Sequence, residues 1–203
     1  MRNKFFITLF LVLCFAASDA QDQFRKSVWG TYTWGSPWDD GDFTKEKYPY
    51  VKGAPIVLRW SELEPKSGKY QFEKLIGEKL KHAAKEDFHV MLTVWVGPMS
   101  PEWIYENGVP KLEMEKTINP FGKVRDWKFP YYLDEDYKTY FFRMIDNLGE
   151  YILSLPEDIQ KRLVFIQSAE GSTGDGWPYK GKPLDLKYDI DRDEWTSFRF
   201  ETW

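Results

Sequence analysis

Four apolar segments rich in β-branched and aromatic residues, Val28–Trp34, Pro55–Trp60, His89–Val96 and Leu163–Ala169, recur along the chain, and what lies between them limits how they can pair. Between the second and third, Phe72, Leu75, Ile76, Leu80, Ala83 and Ala84 fall at spacings of three and four, which is one apolar face of a helix. Between the third and fourth, Tyr137, Tyr140, Phe141, Met144, Ile145, Leu148, Tyr151 and Ile152 do the same, with Asp134 placed to cap. Parallel neighbours need a crossover connection and a helix supplies one, so this order predicts an α/β fold built on a parallel sheet. Pro37, Gly41, Pro49 and Gly53 predict a loop between the first two strands, with at most a short helix around Thr44–Tyr48. Pro178, Gly181 and Pro183 mark another long loop, and a final helix is expected from near Asp193 to the terminus.

Long loops follow the C-terminal ends of all four strands, whereas the connections leading into the second, third and fourth are shorter. This asymmetry fits a (β/α)8 barrel, whose functional loops sit on the C-terminal face. A doubly wound open sheet alternates in the same way, but Tyr32-Thr-Trp-Gly-Ser-Pro-Trp38 lacks the glycine spacing of a dinucleotide-binding turn.

The first twenty residues stand apart. Arg2 and Lys4 precede thirteen almost wholly apolar residues, Phe5–Ala17, and Ser18-Asp-Ala20 puts small residues at the cleavage positions. Residues 1–20 are expected to be a secretory signal peptide and 21–203 one domain, secreted or periplasmic and not membrane-bound once the signal is cleaved. The weaker alternatives are a permanent anchor, for which the run is short of the roughly 20 residues a bilayer needs, and a lipid-modified Cys14, which bulky Leu13 disfavours. Cys14 is the only cysteine, so the mature domain has no internal disulfide. A net charge of -4 with interspersed signs offers no footprint for nucleic acid. Aromatic residues make up 18 %, including ten tryptophans, and an indole's flat face and single donor suit the faces and hydroxyls of sugar rings as well as a packed core.

His82, on a helix, and His89, at the start of a strand, are badly placed for a site at strand ends and read as structural. Without a G-x-S-x-G elbow or a mature thiol, serine or cysteine nucleophile mechanisms have little to stand on, and zinc lacks ligands. Carboxylates remain. Glu170 follows the fourth strand and opens Gly171-Ser-Thr-Gly-Asp-Gly176, a turn that lets backbone approach a ligand. A carboxyl at such a place can be kept protonated by partial desolvation and donate to a leaving oxygen, or it can hold the glycine loop through backbone N–H groups. Asp175 suits a sugar hydroxyl or a turn cap. Arg59 ends the second strand beside Trp60, where it can pair with a carboxylate across the mouth or form a surface ion pair. Trp34 and Trp95 end the first and third strands on one face, although a one-residue register error turns either into a packing residue. Trp103 can wall the pocket or anchor its loop, and Glu64-Pro-x-x-Gly68 reads as a structural turn.

Several segments together resemble a known group. Leu58-Arg-Trp-Ser-Glu-Leu-Glu-Pro-Lys-Ser-Gly-Lys-Tyr-Gln-Phe72 is similar to the second-strand segment of retaining (β/α)8-barrel glycoside hydrolases. Pro101-Glu-Trp103 and Gly108-Val-Pro110 resemble the third-strand loop of the β-galactosidase-like families of that clan, clan A. The resemblance implies Glu170 as acid/base at the end of strand four and Arg59 as the arginine that contacts the nucleophile. Trp34, Trp60, Trp95 and Asp175 are expected to complete the substrate contacts. Where the group has asparagine before the acid/base, this chain has Ala169. The strand that brings the nucleophile would lie beyond Trp203, so the expectation is the N-terminal half of a barrel that hydrolyses β-linked oligo- or polysaccharide only with its other half. No cofactor or metal is expected. The alternative is a secreted carbohydrate-binding protein that keeps an aromatic cleft without catalysis.

Overall fold

The computed structural model describes residues 26–118, 124–125, 127–167, 169–172 and 176–202. In chain order the strands are β1 (Thr31–Tyr32), β2 (Val51–Arg59), β3 (His89–Trp95), β4 (Lys111–Glu113), β5 (Thr117–Ile118), β6 (Val124–Arg125), β7 (Lys128–Pro130) and β8 (Leu163–Gln167). The α-helices are α1 (Trp60–Leu63), α2 (Glu78–Lys85), α3 (Glu102–Glu106), α4 (Glu135–Ser154), α5 (Glu157–Gln160) and α6 (Arg192–Thr202). One four-stranded sheet runs β1-β2-β3-β8 with every pair parallel, and β4–β7 and β5–β6 form two small antiparallel ladders between β3 and α4.

The two expected amphipathic helices form for the expected reasons. α2 extends a π-helical turn, Glu73–Gly77; the turn buries Ile76, and α2 buries Leu80 and Ala83. α4 begins where the Asp134 carboxylate accepts the Asp136 and Tyr137 N–H groups at 3.1 Å each, which satisfies two otherwise orphaned donors. Its buried stripe, Tyr137, Phe141, Met144 and Leu148, follows the helical period.

Alternation along the strands separates two faces. Ala54, Ile56 and Leu58 of β2 and Val90, Leu92 and Val94 of β3 are buried in the core cluster with the helix stripes. The residues between them point the other way and pair across the sheet: Pro55 with Met91, Val57 with Thr93, Arg59 with Trp95. Val57 is 40 % exposed on that open face. β8 lies at the sheet edge, which is why Phe165 and Ile166, expected in a buried strand, are 48 % and 49 % exposed.

Other boundaries moved for local reasons. The expected first strand shrinks to two residues: Val28 is helical instead, Gly30 follows at φ +150°, and the register slips between Thr31 and Tyr32. β2 starts at Val51 rather than at Pro55, and β8 stops at Gln167. The region of the expected short helix at Thr44–Tyr48 contains a single turn, closed by Tyr48 N–H on the Thr44 carbonyl at 3.0 Å. The short ladders had no counterpart in the sequence reading.

Both histidines take structural places. His82 Nε2 lies 2.7 Å from the Phe43 carbonyl oxygen, in an aromatic group where Phe43 stacks on Phe88 at 4.2 Å. His89 is buried at the start of β3, where desolvation, with Arg162 nearby, holds its imidazole below its ordinary value of 6.5. A depressed folded value means the unfolded chain takes up the proton first as pH falls. The contribution of His89 to stability is complete above 6.5 and is lost as pH drops through the folded value. Melting temperatures measured between about pH 7 and 5 should fall less steeply in His89→Asn than in the parent chain; equal slopes would rule this residue out as the source.

Candidate active site

The C-terminal ends of the parallel strands bring only some of the expected residues together. Arg59 and Trp95 are cross-strand partners on the open face. One step down the same face, Thr93 Oγ1 donates to Gln167 Oε1 at 3.0 Å and ties β3 to β8. Arg59 is exposed, with Nη1 3.9 Å from Glu62 Oε1, so its ion pair is local and solvated. Trp34, past the end of β1, is 100 % exposed. Asp175 lies outside the described residues.

Glu170 is 4 % exposed and lines a cleft of about 550 Å³. The other walls include Val94, Val96 and Ile166 from the sheet side and Phe141, Met144 and Leu148 from α4. Val94 and Val96 alternate with Trp95, so the cleft opens on the helix-covered face, opposite the one that carries Arg59 and Trp95. Arg199 of α6 faces the carboxylate there, with Nε 3.6 Å from Oε2. Two contacts that do not involve Glu170 hold the glycine loop: Ser172 N–H donates to the Trp177 carbonyl at 2.9 Å, and the Trp195 indole donates to the Gly176 carbonyl at 2.8 Å.

Trp60 is fully buried rather than presented to a ligand. It is the first residue of α1, and its indole N–H donates to Glu64 Oε2 at 2.9 Å. Glu64 is 0 % exposed and gathers much of the surrounding structure. Its Oε1 accepts from Gly68 N–H and from Arg143 Nη2, both at 2.7 Å, and its backbone carbonyl accepts the Trp103 indole at 2.9 Å. Trp103 is therefore an anchor of its loop. Beside this pair, burial and then the Glu64 charge push the Tyr70 phenol up. Further along, burial pushes the Tyr137 phenol well up, so it stays neutral.

Gly97 joins the β3 end to the glycine loop. Its φ is +54°, and a Cβ there would lie 2.4 Å from Tyr132 Oη and 2.9 Å from the Gly171 carbonyl oxygen. Only glycine meets both conditions without strain. Sequence reasoning missed Arg199 and Arg143. Each is one basic residue on a helix, a pattern that a solvated face produces equally well.

Among the described residues no three His, Cys, Asp or Glu side chains gather into a group that could hold a metal ion. Among them, too, no helix is long and apolar enough to cross a membrane. No protein-family model matches the chain, and no curated protein is significantly similar to it.

Removing one partner of a buried ion pair strands the other charge. Arg143→Met should cost about 2–3 kcal/mol in denaturant unfolding, at or below the low end for such pairs because the arginine side chain is 35 % exposed. A loss under about 0.5 kcal/mol would show that the Trp60 and Gly68 donors suffice for Glu64.

Proposed function

We propose that this chain carries the acid/base half of a retaining glycoside hydrolase site that acts on β-linked oligo- or polysaccharide, on a sheet that is the first half of a (β/α)8 barrel. The observation that carries the reading is a buried carboxyl, Glu170, just beyond the fourth strand of a parallel sheet whose strands follow one another in chain order. Sequential parallel order with the core against one face is the local pattern of a barrel wall. The resemblance of the second-strand and third-strand segments supports the same assignment.

In this reading Glu170 donates its proton to the glycosidic oxygen as the bond to the sugar breaks. A second carboxylate, from outside the described residues, attacks the anomeric carbon, and Glu170 then takes a proton from the water that releases the sugar. At rest Glu170 faces Arg199. Productive binding turns it toward the face that carries Arg59 and Trp95, where Trp95 stacks on a sugar ring and Arg59 holds the second carboxylate. Trp34 and Asp175 extend the contacts along the loops.

The exposure of Trp34 and Trp29, 100 % and 85 %, favours a second reading, a carbohydrate-binding protein without turnover. Calorimetric titration of β-linked oligosaccharides and product release from aryl β-glycosides separate the two. The 203-residue chain should bind oligosaccharide, lose affinity about tenfold in Trp34→Ala or Trp95→Ala, and release no product by itself. With the second carboxylate supplied, hydrolysis should appear and fall by about 10²–10⁴ in Glu170→Gln while binding persists. Turnover by the chain alone, or turnover indifferent to Glu170→Gln, would reject the assignment. Binding without hydrolysis in every form would leave the second reading.

A further inference from the structure

The cleft beside Glu170, about 550 Å³, falls within the range of about 300–1,000 Å³ that holds small ligands. It follows α4 from Phe141 to Gly149, about 12 Å at about 1.5 Å per residue, with Val94, Val96 and Ile166 opposite. Gln167 and Thr202 are the only other polar side chains among the described residues that line it, and Glu170 is the only ionisable one. Gly149 keeps the cleft wide. Glycine weakens a helix interior, yet Gly149 stands inside α4. A Cβ there would meet nothing within 4 Å, so packing does not call for a glycine, and the room it leaves belongs to the cleft.

We infer that this cleft binds an apolar amine, its hydrocarbon body laid along α4 and its ammonium group on the Glu170 carboxylate, in the place that Arg199 holds at rest. Charge decides between occupants. The Glu170 side chain is only 5 % exposed, whereas that of Arg199 is 29 % exposed on α6. An ammonium group brings the sign of charge that Glu170 already faces and lets the guanidinium turn to solvent. An apolar acid would instead set a second negative charge beside a buried carboxylate, and like charges repel most where water is excluded. A sugar does not suit the cleft, because most of its hydroxyls would lose water without gaining a partner. The cleft lies on the helix side of the sheet, so a strand paired to the β8 edge, as the barrel reading requires, does not enter it. The inference makes no use of catalysis by Glu170.

The test titrates the 203-residue chain calorimetrically with decylamine, decanoate and decanol at neutral pH, each below its micelle concentration. Decylammonium should bind about tenfold or more tightly than the acid or the alcohol, and Glu170→Gln should remove that advantage. Gly149→Leu fills the cleft and should weaken decylammonium binding about tenfold or more. Far-UV circular dichroism checks that both variants stay folded. Methionine-methyl NMR locates the ligand without any substitution in the cleft. Met144 lines the cleft and Met91 faces the opposite side of the sheet, so decylammonium should shift the Met144 signal and leave that of Met91 in place. Absence of binding, or decanoate or decanol bound as tightly as the amine, overturns the inference. So does a Met91 shift without one at Met144, or binding that Glu170→Gln or a folded Gly149→Leu leaves unchanged. None of these measurements uses a glycoside, so either this inference or the glycosidase reading can fail alone.

Discussion

The Glu64–Arg143 pair holds four separate parts of the chain at one point. The carboxylate is fully buried and meets an indole, a backbone N–H and a guanidinium, while the same residue's carbonyl receives a second indole. These partners come from α1, the turn at Gly68, α4 and α3. A buried charge is tolerated only when its hydrogen-bonding capacity is met, so the four parts must arrive together. Trp60 packs edge-on against Trp103 at 6.2 Å and against Tyr137 at 5.9 Å, which carries the same constraint into the aromatic core. α1 follows directly on β2 and α3 follows β3, so this arrangement ties the C-terminal ends of those strands together.

Above it, the sheet is asymmetric. One face is packed against helices; the other carries a mixed row in which Thr93 and Gln167 satisfy each other between apolar neighbours. That pair gives the open face a polar centre, and its hydrogen bond fixes the relative height of β3 and β8. Glu170 stands on the other side of the same wall, against Arg199. The candidate site residues are thus divided between the two faces of the sheet.

The long helices were legible because their apolar spacing repeats over several turns and Asp134 sits where a cap must. The middles of β2, β3 and β8 were legible as apolar runs between glycine- and proline-rich loops. Strand ends were not, since a positive φ at Gly30 and a register slip at Thr31 leave no trace in composition. The three-residue ladders β4 and β7 are too short for any periodic pattern. At the site, a single residue of parity decides which face a side chain meets. Trp60 follows Arg59 by one residue, so the alternation that carries Arg59 to the open face turns Trp60 into the core with Ile56 and Leu58. Glu170 lies three residues past the last residue of β8, beyond the reach of any alternation argument.

The close seat of Gly97 has a mechanical consequence. The place a Cβ would take at Gly97 is bounded by both the Tyr132 hydroxyl and the Gly171 carbonyl, and Tyr132 packs on Trp195 and Phe198 of α6 at 5.2 and 6.0 Å. α6 also carries Arg199, the partner of Glu170. A closed circuit of contacts therefore runs from Gly171 through Gly97, Tyr132 and α6 back to the Glu170 carboxylate. The seat of Gly171 and the grip on Glu170 are thus joined by one packed path.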